Sequence, residues 1–133
     1  MIHPTILSAL LFLAAPASVP IPDSKPEPAP ELSQAKPKPL SLEDQAGLRC
    51  SAAFAIVARG QAKGAKNALA YPALDQRGRE FFVRTSARLM DATGMDRNGV
   101  ASALEAAAQQ LRSEGGPEKI MPSCLLMLEG SGL

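Results

Sequence analysis

Proline placement divides this chain more sharply than any other feature. Nine of its twelve prolines lie before residue 41, and only Pro72, Pro117 and Pro122 lie after it. Proline lacks the amide hydrogen that a helix interior or a central strand must donate. The stretch 18–40 carries prolines at 20, 22, 26, 28, 30, 37 and 39, with Asp23, Lys25, Glu27, Glu31, Lys36 and Lys38 among them. Such a run cannot sustain a helix and has too little apolar surface to bury. It is expected to be a disordered linker that samples extended polyproline II, reaching about 70 Å when stretched. A folded domain is expected only over residues 41–133.

Residues 1–17 read as a secretory signal peptide. Ile6 to Ala15 form an apolar core of the right length, and Ala15-Pro16-Ala17 places small residues at the −3 and −1 positions for cleavage before Ser18. The segment before that core holds His3 but no Lys or Arg. Prolines at 16, 20 and 22 keep the apolar run too short for a membrane anchor, so no stable membrane insertion is expected after cleavage. With no cysteine directly after the run, lipid attachment is not indicated. The expected localisation is periplasmic or secreted.

Beyond residue 40 the apolar residues recur with a helical period. Ser41 with Asp44 three residues on resembles a capping box. Ala46, Cys50, Ala53, Phe54 and Val57 then share one face of a first helix, which Gly60 and Gly64 are expected to end. Pro72 suits the first turn of a second helix, whose face reads Leu74, Gly78, Phe81, Phe82, Thr85 and Leu89. A glycine inside that helix costs around 1 kcal/mol relative to alanine, so Gly78 implies a closely approaching neighbour. Gly94 ends the helix. Asp96 or Asn98 can cap a third, with Val100, Leu104, Ala107, Ala108 and Leu111 on its face, and Gly115-Gly116-Pro117 breaks it. Met121, Cys124, Leu125 and Leu128 mark a short last helix begun by Pro122. No alternating strand pattern occurs. The fold class expected is all-α, a compact four-helix domain.

Cys50 and Cys124 are the only cysteines, and both fall on apolar faces, of the first and last helices. A bridge between them would close nearly the whole domain into one loop, contributing roughly 4 kcal/mol on the chain-entropy account. Export to an oxidising compartment would permit it. No C-x-x-C pair, haem-attachment motif or zinc spacing is present.

The sequence offers little material for catalysis. His3 is its one histidine and lies in the signal, so the mature chain would lack the commonest general base and metal ligand. The run Asp96-Arg97-Asn98-Gly99 hints at a calcium loop, but such a loop requires glycine at its sixth position and an acid at its twelfth. Ala101 and Ala107 stand there, and a helix cap explains the same residues. No glycine-rich phosphate loop lies between a strand and a helix. The formal net charge of +1 gives no basic surplus for nucleic acid, and the few aromatics do not alternate with basic residues. The second helix carries Arg77, Arg79, Arg84 and Arg88. Arg77, Arg84 and Arg88 form a candidate anion or partner face. Pairing of Asp75 with Arg79, Glu80 with Arg84 and Asp91 with Arg88 would instead make it a solvated ion-pair face.

Leu48-Arg49-Cys50-Ser-Ala-Ala-Phe54, Gly78-Arg79-Glu80-Phe81-Phe82-Val83-Arg84 and Met121-Pro122-Ser123-Cys124-Leu125 resemble stretches of small exported helical bacterial proteins with no assigned activity. The resemblance spans most of 41–133 and implies export and a helical fold, but supplies no functional residue. The layout of signal, four short helices and one disulfide is also similar to that of periplasmic acid-stress chaperones, without matching their motifs. The expected function is that of a non-catalytic envelope protein acting by protein binding, as a small chaperone, inhibitor or assembly subunit. No enzyme activity and no cofactor is expected, and the expected partner is another envelope protein, not nucleic acid. The competing expectation is a carrier of an apolar or lipid-like ligand in the helical bundle.

Overall fold

The structure, a computed structural model, describes residues 38–133. The expected signal 1–17 and nearly all of the linker 18–40 lie outside the described residues. Five helices follow in order: α1 (Leu42–Ala62), α2 (Lys66–Leu69), α3 (Asp75–Thr93), α4 (Arg97–Ser113) and α5 (Met121–Gly130). No strand occurs among the described residues, and the all-α expectation holds. The four long helices match the four read from the sequence. The one-turn α2 was not expected, because four residues are too few to display a period.

Helix α1 opens on the expected cap. The Asp44 amide donates to Ser41 Oγ at 3.1 Å, and the Ser41 hydroxyl in turn donates to the Asp44 carboxylate at 2.7 Å. The helix runs two residues past Gly60. Its burial is wider than the single stripe expected: Gly47, Leu48, Cys50, Ser51, Ala52, Ala53 and Phe54 are all buried, while Ala46 is only partly so. A helix enclosed on most sides is the central element of its fold, and small residues at 51, 52 and 53 let neighbours reach it from several directions.

Helix α3 packs antiparallel to α1, and the pairings fix its course. The Lys38 amide donates to the Thr93 carbonyl at 3.1 Å, Arg88 meets Glu43, and the Leu74 amide donates to Gln61 Oε1 at 3.1 Å. Midway, a Cβ placed on Gly78 would stand 3.0 Å from Phe54 Cβ. The glycine in the helix interior is thus the site of close approach that its cost implied. Below it, Phe54 meets Phe81 edge-to-face with centroids 5.3 Å apart and planes at 80°, a favourable arrangement of ring quadrupoles. Leu74, Gly78, Phe81, Thr85 and Leu89 are buried, and Phe82 is half-buried.

One boundary differs from expectation. Pro72 does not occupy the first turn of α3, which begins at Asp75. The segment ahead of it is held by the Gln61 side chain, whose Nε2 donates to the carbonyls of Ala68, Tyr71 and Pro72 at 3.2, 3.2 and 2.8 Å. One side-chain amide of α1 therefore satisfies the chain on the way out of α2 and the amide donor of Leu74, the residue that caps α3.

Asp96 caps α4 by accepting from the Gly99 amide at 2.8 Å, as the cap reading required. Val100, Ala107, Ala108 and Leu111 are buried on its inner face. At its end Gly115 has a φ of 98°. The Gly115 and Gly116 amides return to the carbonyls of Arg112 and Leu111 at 3.2 and 2.8 Å. This is a Schellman closure, which needs the left-handed residue that glycine supplies. Helix α5 carries Pro122 in its first turn and buries Met121, Cys124 and Leu128. Cys50 and Cys124 are disulfide-bonded, with Cα atoms 5.2 Å apart and a sequence separation of 74. Among the described residues, no buried side-chain nitrogen or oxygen lacks a hydrogen-bond partner.

Candidate functional site

Two concave regions of the surface bear on function, one containing the arginines singled out in the sequence and one that the sequence did not reveal. Arg77, Arg84 and Arg88 follow one another at seven and four residues along α3, which sets them on one side of the helix. They face the end of α5 and the start of α1. Arg77 donates to the Leu133 main-chain oxygen through Nε and Nη2, at 3.1 and 2.6 Å, and lies 3.5 Å from Glu129. Arg84 donates to the Ser131 carbonyl at 3.1 Å. Arg88 reaches Glu43 at 2.6 Å and Asp44 at 3.3 Å. Glu43, Phe81, Arg84, Thr85, Arg88 and Met127 line much of a hollow of about 500 Å³ between these elements.

These contacts correct the expected ion-pair face. Pairing of Asp75 with Arg79, Glu80 with Arg84 and Asp91 with Arg88 is not found among the described residues. Glu80 accepts from Gln76 instead, and Arg84 and Arg88 turn away along the helix toward other elements. The reason is geometric: an arginine beside a helix C-terminus finds main-chain oxygens that the helix leaves unsatisfied. Carboxylates in the first turn of α1 likewise complement the amides there and attract a cation from outside. An incoming anion would compete with Glu43 and Asp44 for Arg88 and with main-chain oxygens for Arg77 and Arg84. The arginines act as clasps holding α1 and α5 to α3.

The second region lies along the outer side of α1. Ala55, Ala58 and Ala62 form the floor of a groove of about 480 Å³, with Phe82 and Gly78 of α3 on one side and Leu104 of α4 on the other. Phe54 and Leu74 close it from below. A second hollow of about 210 Å³ continues from it, sharing Ala55 and Leu104 and adding Ala52, Ile56 and Ala108. Small side chains on α1 between bulkier ones on α3 and α4 produce the concavity. The sequence signal was present in Ala55, Ala58 and Ala62. It was not readable there, because alanines at helical spacing serve equally as tight internal packing.

The polar groups at the rim are unequal. Asp75 stands in the first turn of α3, where its charge complements the helix amides. Glu105 is engaged by Arg112 at 3.3 Å and by Gln109. Arg79 also lines the groove and Arg59 the hollow that continues from it, and neither makes an ion pair among the described residues. Away from both regions, Arg49 of α1 and Glu114 at the end of α4 form a two-point contact at 3.4 and 2.8 Å. That bond to the guanidinium holds the Glu114 carboxyl below its ordinary pKa.

Among the described residues, no three His, Cys, Asp or Glu side chains gather in a way that could hold a metal ion. No helix of the described residues is long and apolar enough to cross a membrane. The disulfide is compatible with a compartment outside the cytoplasm. No family model, curated protein or solved structure matches the chain.

Proposed function

We propose that this is a non-catalytic protein of the cell envelope, periplasmic or secreted, that works by binding another protein through the groove on α1. The groove carries the reading: a concave apolar strip walled by Phe82 and Leu104 and open along its length suits an inserted helix or peptide. The export signal read in residues 1–17 and the Cys50–Cys124 staple support the compartment. A small chaperone, an inhibitor or an assembly subunit would each use such a surface.

The test is chemical cross-linking in intact cells of the native host, followed by mass analysis of the recovered species. A mature chain beginning at Ser18 and joined to a protein partner is the expected product. Ala55 is exposed, so Ala55→Trp fills the groove without entering the core. It should abolish the adduct and leave the melting temperature unchanged. Recovery of a lipid-like adduct in place of protein would transfer the groove to the carrier reading. Adducts that survive Ala55→Trp would place binding elsewhere on the surface.

A further inference from the structure

The geometry points to a partner of defined chemistry: an acidic, amphipathic helical segment of another protein, laid along the α1 groove. This inference rests on the protein-binding reading above and adds what the partner must look like. The first argument is shape. From Ala52 to Ala62 the floor follows α1 for about 15 Å at the helical rise, a length that accommodates roughly three turns of a second helix. The floor is made of alanines and the walls of Phe82 and Leu104, so an inserted helix can approach closely and bury its larger side chains against the walls. A lipid bilayer is a poor occupant, because a flat surface reaches the rim and leaves a concave alanine floor uncovered.

Charge is the second argument, and it selects the sign. From Gln45 to Leu74 the chain contains no Asp or Glu, while Arg49, Arg59, Lys63 and Lys66 fall within that stretch. Arg49 is taken by Glu114. Arg59 lines the hollow that continues the groove, Lys63 follows four residues later as the C-cap of α1, and Arg79 lines the groove from α3. None of these three makes an ion pair among the described residues. Of the two carboxylates at the rim, Glu105 is engaged with Arg112, which leaves Asp75 alone against three cations. The uncommitted charge around the apolar strip is therefore net positive. An occupant with Asp or Glu flanking its apolar face would complement it, and one with Lys or Arg there would be repelled.

The decisive experiment places a photoreactive side chain at Ala58 in the full-length chain, cross-links in intact host cells and sequences the attached peptide. The expected product is a segment with apolar residues at helical spacing flanked by Asp and Glu. Replacing Arg59 and Arg79 together by Glu should lower its yield roughly tenfold. Lys38→Glu, at the opposite end of α1, should leave the yield unchanged. A neutral or basic segment, a phospholipid or a second copy of this chain at Ala58 would overturn the inference while the first two outcomes differ in what they leave: a protein segment of the wrong charge keeps the protein-binding reading intact. Protein cross-links from other surface positions but not from Ala58 would remove the groove alone. Absence of protein adducts from every position would end both readings.

Discussion

Gly78 shows how one missing methyl group sets the spacing of two helices. An alanine at an exposed site in a helix interior gains about 1 kcal/mol over glycine. At position 78 the added Cβ would meet Phe54 Cβ at 3.0 Å. Phe54 has little room to give way, since it is 1% exposed and fixed edge-on to Phe81. Overpacking of this kind costs about 1–3 kcal/mol, which outweighs the propensity gain. Gly78→Ala is therefore expected to destabilise the protein by about 1 kcal/mol, reversing the usual sign, as chemical denaturation will measure. The sequence exposed this residue because a glycine at an inward helical position has a cost that something must offset. Gln61 gave no such sign. The four main-chain groups its side chain meets come together only once α2 turns the chain back, and no local spacing encodes that turn.

At the scale of elements, apolar period made the inward faces of α3, α4 and α5 legible, since most of their large side chains fall to one side, with Val83 and Leu126 the exposed exceptions. Helix α1 was harder to read, because Ser51 and Ala52 lie off the expected face and look neutral in any periodic pattern, yet are buried among neighbours. The arginine contacts were beyond reach for a related reason. Local pairs at four residues are visible in a sequence, whereas Arg88 with Glu43 spans 45 positions and Arg77 with Leu133 spans 56. The groove was hidden too, since its width depends on how α3 and α4 sit on α1. The contact of Arg49 with Glu114 links α1 to the end of α4 and makes that union pH-dependent. Glu114 has a folded pKa below its unfolded value, so its contribution is present above the unfolded value and is lost as pH falls through the lowered one. NMR titration of the Glu114 carboxyl should show a depressed midpoint that rises in Arg49→Gln. An unchanged midpoint in that variant would remove Arg49 as the cause.

For the molecule as a whole, the staple between α1 and α5 is the largest single constraint. Opening a loop whose ends are separated by 74 in sequence restores unfolded-state entropy of about 4 kcal/mol. A domain of this size loses about 4–8 °C of melting temperature per kcal/mol. Cys50→Ala combined with Cys124→Ala is thus expected to lower the melting temperature by about 20 °C. The wild-type protein should move toward the same value in reductant, once the buried sulfurs become accessible on heating. Equal melting temperatures for oxidised and doubly substituted protein would show that the helices hold without the bridge.

The staple has one more consequence, for the fate of a cut chain. Every turn between the described helices, at 63–65, 70–74, 94–96 and 114–120, lies between Cys50 and Cys124 in sequence. A protease that severs one of these turns adds a water but frees no fragment, because both pieces remain tied through sulfur. The nicked molecule should migrate as one species without reductant and as two with it. Damage at its most accessible points thus leaves the helices tethered at high local concentration, able to reassemble.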